Sequence, residues 1–109
     1  MKSSAILACQ VILVTFGLGQ SYAPSAGYVP DSATAIKIAE AVLVPIYGQK
    51  QIESERPFTA KLEKDVWIVN GTLHCTDANG NPAALCFGGA AVVQLSKQDA
   101  RIISMTHYK

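Results

Sequence analysis

The sequence predicts an α+β domain, in which one amphipathic helix packs on a four-stranded antiparallel meander and a signal-peptide helix precedes both. Three observations predict it. Apolar residues recur every three or four positions from Ala35 to Leu43, the period of a helix with one buried face. After Pro57 the period drops to two, the alternation of half-buried strands. The links between most of these alternating runs are short and rich in turn formers, and short links join neighbouring strands as antiparallel hairpins.

The chain begins with a leader. Lys2 precedes an apolar run from Ala5 to Leu18, about 14 residues long and broken by Gln10 and Thr15, whereas a membrane span takes roughly 20. Ser21 and Ala23 place small residues three and one before a cut, so residues 1–23 read as a cleaved secretory signal. Pro24 would follow that cut, which makes Gly19 and Ala26 neighbouring alternatives. The run from Ile6 to Cys9 looks like a lipidation box, but the few residues ahead of Cys9 leave no apolar stretch before it. A periplasmic or secreted location is expected, with no stable membrane anchor after cleavage.

Residues 24–30 read as a linker without periodicity, and residues 31–109 as the domain. Asp31 or Ser32 offers an N-cap. Ala35, Ile36, Ala39, Val42 and Leu43 then form the apolar stripe of the helix, with Lys37 and Glu40 facing away. Pro45 kinks or ends this helix and Tyr47-Gly48 fits its boundary. Residues 49–55 add one more turn anchored by Ile52. In the first strand Phe58, Ala60 and Leu62 point inward, and Glu63-Lys64-Asp65 turns the chain. The strongest strand is Val66 to Leu73, with Trp67, Val69 and Gly71 on one face. A loop of residues 74–87 follows. The third strand is Ala90 to Leu95, a turn occupies Lys97 to Ala100, and the fourth strand is Arg101 to His107.

Without residues 1–23 the chain keeps 86 residues, enough for one domain with a modest core. Lys2 leaves with the leader, so eight basic residues face eight acidic ones and the net charge is zero. Nucleic acids and anionic membranes select a clustered basic excess, so neither is an expected partner. Of the three cysteines, Cys9 also leaves. Cys75 and Cys86 are then an even pair in an oxidising compartment, around a stretch rich in turn formers, and a disulfide is expected. Closing a loop of this size stabilises by about 3 kcal/mol. The competing reading, a metal pair, lacks the CxxC spacing and has only His74 beside it.

Catalytic signatures are missing: the sequence has no GxSxG elbow, HExxH helix, phosphate loop or dinucleotide fingerprint. Glu40 and His107 could meet across the helix–sheet interface, though a surface polar contact is the plainer expectation. Gly88-Gly89 fits a tight strand entry better than an anion nest. Trp67 fits a core position better than a ligand platform. Asn70-Gly71-Thr72 matches an N-glycosylation sequon inside a predicted strand. Tyr28, Tyr47 and Tyr108 are scattered at element ends, the alternative being one aromatic patch.

Several runs fit together: Ala33 to Gly48 with its Pro45-Ile46-Tyr47-Gly48 ending, Arg56 to Leu62, and Asp65 to Leu73 with Trp67, Val69 and Gly71-Thr72-Leu73. Gly88 to Leu95 and the closing Thr106 to Lys109 complete the set. Over nearly all of residues 30–109 the chain resembles the bacterial NTF2-fold immunity proteins associated with polymorphic toxins. The resemblance implies a short NTF2-like cone, a helix against a curved sheet, and neutralisation of a cognate toxin or hydrolase by direct binding. It implies no catalysis and no cofactor. The chain departs from the family pattern in its cysteine-bearing loop, and in ending His-Tyr-Lys rather than His-Gly-Lys. That loop, with Asp77, Asn79 and Asn81, and the terminal His107 and Tyr108 are the expected partner-binding residues. The alternative function is a small-ligand module with a pocket between helix and sheet, lined by Trp67, Tyr47 and Phe58. An isomerase-like enzyme would need a buried carboxylate, and the strands place no acidic residue inward.

Overall fold

The computed structural model describes residues 19–75, 79–81 and 89–108. The apolar run of the expected leader, up to Leu18, lies outside the described residues, as do Asp77, Cys86 and Gly88. Among the described residues no helix is long and apolar enough to cross a membrane.

Helix α1 spans Ser32–Tyr47. Asp31 caps it, its carboxylate accepting from the Thr34 N–H at 2.8 Å, as Asx side chains do at orphan N-terminal amides. Pro45 falls in the last turn, and Gly48 closes the helix at φ 91°, with its N–H on the Val44 carbonyl. The chain re-enters a short helix α2, Gln49–Ser54, whose Ile52 is fully buried. Ala35, Ala39 and Leu43 repeat every four residues along α1 and are likewise inaccessible.

Four strands follow as a simple meander: β1 (Thr59–Glu63), β2 (Val66–Asn70), β3 (Ala91–Ser96) and β4 (Ile102–His107), all antiparallel and in sequence order across the sheet. Lys64 and Asp65 form a tight two-residue turn, both with positive φ. A bulge at Gln94/Leu95 leaves Ile103 without a partner in β3. Trp67 and Val69 from β2, and Ala91, Val93 and Leu95 from β3, face α1. Together with Phe58, Ile52 and the α1 stripe they form one core. The helix packs on β1, β2 and β3 and meets β4 at its end, where Tyr47 lies against His107.

Three expectations shift. The strand expected from Val66 to Leu73 stops at Asn70, because the Thr72 N–H turns to the Glu55 carbonyl at 2.7 Å instead of staying in the ladder. Leu62, expected inward, is 42% exposed beside the turn on the edge strand. The stretch read as a linker is also packed. Val29 is fully buried, and Tyr28 and Val29 donate to the carbonyls of Gln98 and Lys97. The Trp67 indole N–H donates to the Val29 carbonyl at 2.8 Å. Without periodicity the segment had no signal of burial, since a single apolar anchor carries it.

Gly27 makes that entry possible. Its φ is +84°, and an added Cβ would lie 2.5 Å from the Lys97 carbonyl oxygen. Gly27→Ala is therefore expected to cost about 2 kcal/mol, from the left-handed backbone and the clash together. Thermal unfolding followed by circular dichroism measures it.

Candidate partner-binding site

Antiparallel order brings the end of β2, the start of β3 and the end of β4 to the same pole of the sheet, and the long loop springs from there. A buried carboxylate organises this pole. Glu55, just past α2, is 4% exposed. Its Oε1 accepts from the Ala91 N–H at 2.7 Å, and its Oε2 accepts from Gln51 Nε2 and His107 Nε2, each at 2.8 Å. One side chain thus ties α2 to the first residue of β3 and the last of β4. Burial alone would raise the Glu55 pKa. The donors from Gln51, Ala91 and His107 outweigh burial, and the carboxyl is held below its ordinary value.

The surroundings support this hub. The ring of Tyr47 lies against that of His107, with centroids 4.9 Å apart. A Cβ on Gly71 would stand 2.9 Å from Glu55 Oε1 and 3.1 Å from the Phe58 ring, so only glycine lets β2 pass the carboxylate. Thr72 donates its hydroxyl to the Pro57 carbonyl at 2.5 Å, and His74 Nε2 lies 2.7 Å from the Arg56 carbonyl. Arg56 bonds Glu40 through Nε and a terminal nitrogen, at 3.0 and 2.6 Å. The first residues of the loop are therefore sewn to the segment after α2.

This geometry sorts the expected site residues. His107 and Tyr108 sit at the loop pole, His107 mostly enclosed by the hub and Tyr108 59% exposed. Asn79 and Asn81 are exposed within the loop that leaves the same pole, and Cys75 is at its root. Gly89, one of the pair read as a tight strand entry, is pressed against Tyr108, whose Cβ and carbonyl occupy the space a side chain would need. Glu40 and His107 do not meet, because each has a nearer partner, Arg56 and Glu55 respectively. Tyr28 belongs to the opposite pole, beside the β3–β4 turn, so the tyrosines form no single patch. The suggested pocket walls Trp67 and Phe58 are core residues, 7% and 6% exposed. Two open cavities, of about 610 and 580 Å³, lie elsewhere: one over the outer sheet face beside Ile68, the other along α1 beside Ile36 and Val44. Among the described residues no group of three or more His, Cys, Asp or Glu side chains is placed to hold a metal.

Glu55 is the residue sequence reading missed. A buried carboxylate exists after all, supplied by a helix end rather than a strand. It shares a helical face with Ile52 at i,i+3 spacing, and that spacing was the available signal. Its oxygens are taken up by donors from α2, β3 and β4, so the carboxylate ties these elements together.

The family described as NTF2 fold immunity protein matches residues 34–109. The chain belongs to that family. Its match begins inside α1 and runs through the sheet, so the family segment contains Glu55, His107 and the loop, while the core residue Val29 precedes it. The chain is also 30% identical over 81 residues to the uncharacterized protein YhhH of Escherichia coli strain K12. That alignment covers 74% of this chain and 58% of YhhH, so the chain spans well under two thirds of that relative. No solved structure matches the chain.

Proposed function

We propose that this protein is an exported immunity protein that neutralises a cognate toxin by direct binding at the loop pole, without catalysis or a cofactor of its own. The observation that carries the reading is the Glu55 hub, in a chain of the immunity family. A buried carboxylate spent on fixing the root of an exposed loop lowers the ordering cost of binding there, as preorganisation does. A Cys75–Cys86 disulfide would pin the loop further. The leader directs the protein to the periplasm or outside, where such a bridge persists. The small-ligand alternative has less support, since the space between helix and sheet is filled by Leu43, Phe58, Trp67 and Val69.

The test begins with the protein encoded beside this gene. Co-purification of that protein with the exported chain is expected, and Asn79→Ala with Asn81→Ala should weaken binding about tenfold or more if the loop is the contact. Unchanged affinity in the double variant would remove the loop from the interface. The exported form should begin at Pro24 by mass and carry no thiol that reacts before reduction. A retained leader would overturn the location, and a reactive thiol the bridge.

A further inference from the structure

We propose that β4 is an open pairing edge and that a second copy of this chain occupies it, joining two sheets into one of eight strands about a two-fold axis at Met105. This is independent of the toxin reading. Among the described residues no strand pairs with the outer side of β4. The backbone fixes which groups are left over. The Gly71 N–H bonds the Ala91 carbonyl, so Ala91 addresses β2 and Val92 addresses β4. Val92 pairs with Thr106, so the amide and carbonyl of Thr106 are committed to β3 and those of Met105 and His107 face outward. The Tyr108 N–H on the Ala90 carbonyl gives the same phase.

The two sheet edges are treated differently. β1 carries the Lys61–Glu63 ion pair at 3.2 Å and lies under α1, the usual means of blunting an edge. β4 holds no lysine, arginine, carboxylate or proline from Ile102 to His107, and it exposes Ile102 and Ile103. α1 packs on β1, β2 and β3 and meets β4 at the strand's end, where Tyr47 lies against His107, so the helix does not cover β4 from Ile102 to Thr106.

The same phase selects the occupant's register. A two-fold at Ser104 or Thr106 would oppose groups already bonded to β3. Centred on Met105, the outward amide and carbonyl of each copy meet those of the other. Ser104 then faces Thr106 of the second copy, and Ile103 faces its His107. No like charges meet on the rungs from Ile102 to Tyr108, and the exposed Ile103, unpaired within its own sheet, gains a cross-strand neighbour.

Sedimentation equilibrium on the protein recovered after expression of the full chain tests this. Twice the monomer mass is expected as concentration rises. Ser104 and Thr106 are both exposed. Ser104→Lys/Thr106→Lys sets like charges opposite each other on both flanking rungs and should raise the dimer dissociation constant about tenfold or more. Ser104→Glu/Thr106→Lys sets opposite charges on those rungs and should preserve the dimer. Met105→Pro, which deletes only an outward N–H, should also give monomer and serves if the lysine variant misfolds. A monomer at every concentration, or a dimer that survives both disruptive variants, would overturn the proposal.

Discussion

Glu55→Ala is expected to destabilise the fold by about 3 kcal/mol, roughly 12–24 °C in melting temperature for a domain of this size. The substitution strands three donors at once: the Ala91 N–H, the Gln51 amide and His107 Nε2. Denaturant unfolding followed by circular dichroism reads the loss. A change within about 0.5 kcal/mol, as at an ordinary surface site, would mean that the hub contributes little. The pH dependence has a definite sign. Glu55 has a folded pKa below its unfolded one, so the native state binds fewer protons in the acid range. Its contribution is complete above the ordinary carboxylate pKa and disappears as pH falls through the lowered folded value. Wild type should therefore lose stability more steeply in acid than Glu55→Gln, in midpoints measured from neutral pH downward.

Trp67→Ala should cost about 4 kcal/mol, since it empties a large volume at the centre of the sheet and strips the Val29 carbonyl of its donor. Trp67→Phe separates the two effects. It keeps most of the buried ring and removes the indole N–H, for about 1–2 kcal/mol. In that variant hydrogen exchange should quicken first at the Tyr28 and Val29 amides, which hold the entry segment to the β3–β4 turn. Equal quickening across β2 and β3 would show instead that the indole bond supports the sheet as a whole.

The parts of this protein that repeat were legible in its sequence. The i,i+4 stripe of Ala35, Ala39 and Leu43 and the alternation of Trp67 with Val69 each state a period, and the structure buries those residues. Single anchors carry no period. At helical or strand spacing Val29 has no apolar neighbour larger than Ala26 and Ala33, so the packing of residues 27–29 on the β3–β4 turn had no local signature. Glu55 is subtler: an acidic residue ordinarily marks an exposed face, and only its donors, from residues 51, 91 and 107, make burial tolerable. Those donors converge through the sheet register, which composition does not encode. The same limit explains why the sequence offered Glu40 as a residue that could meet His107, whereas the register brings His107 to Glu55 and leaves Glu40 with Arg56.

The stitching of Tyr28 and Val29 to Lys97 and Gln98 gives the molecule a handle. That junction lies at the end of the sheet where β3 finishes and β4 starts, whereas Asn79, Asn81, His107 and Tyr108 belong to the far end. Cargo fused ahead of residue 24 would hang from the blunt end and leave the loop unobstructed. A tag appended after Lys109 would crowd it. The two fusions are therefore unequal instruments, and capture from the N-terminal side is the orientation that keeps the loop pole accessible.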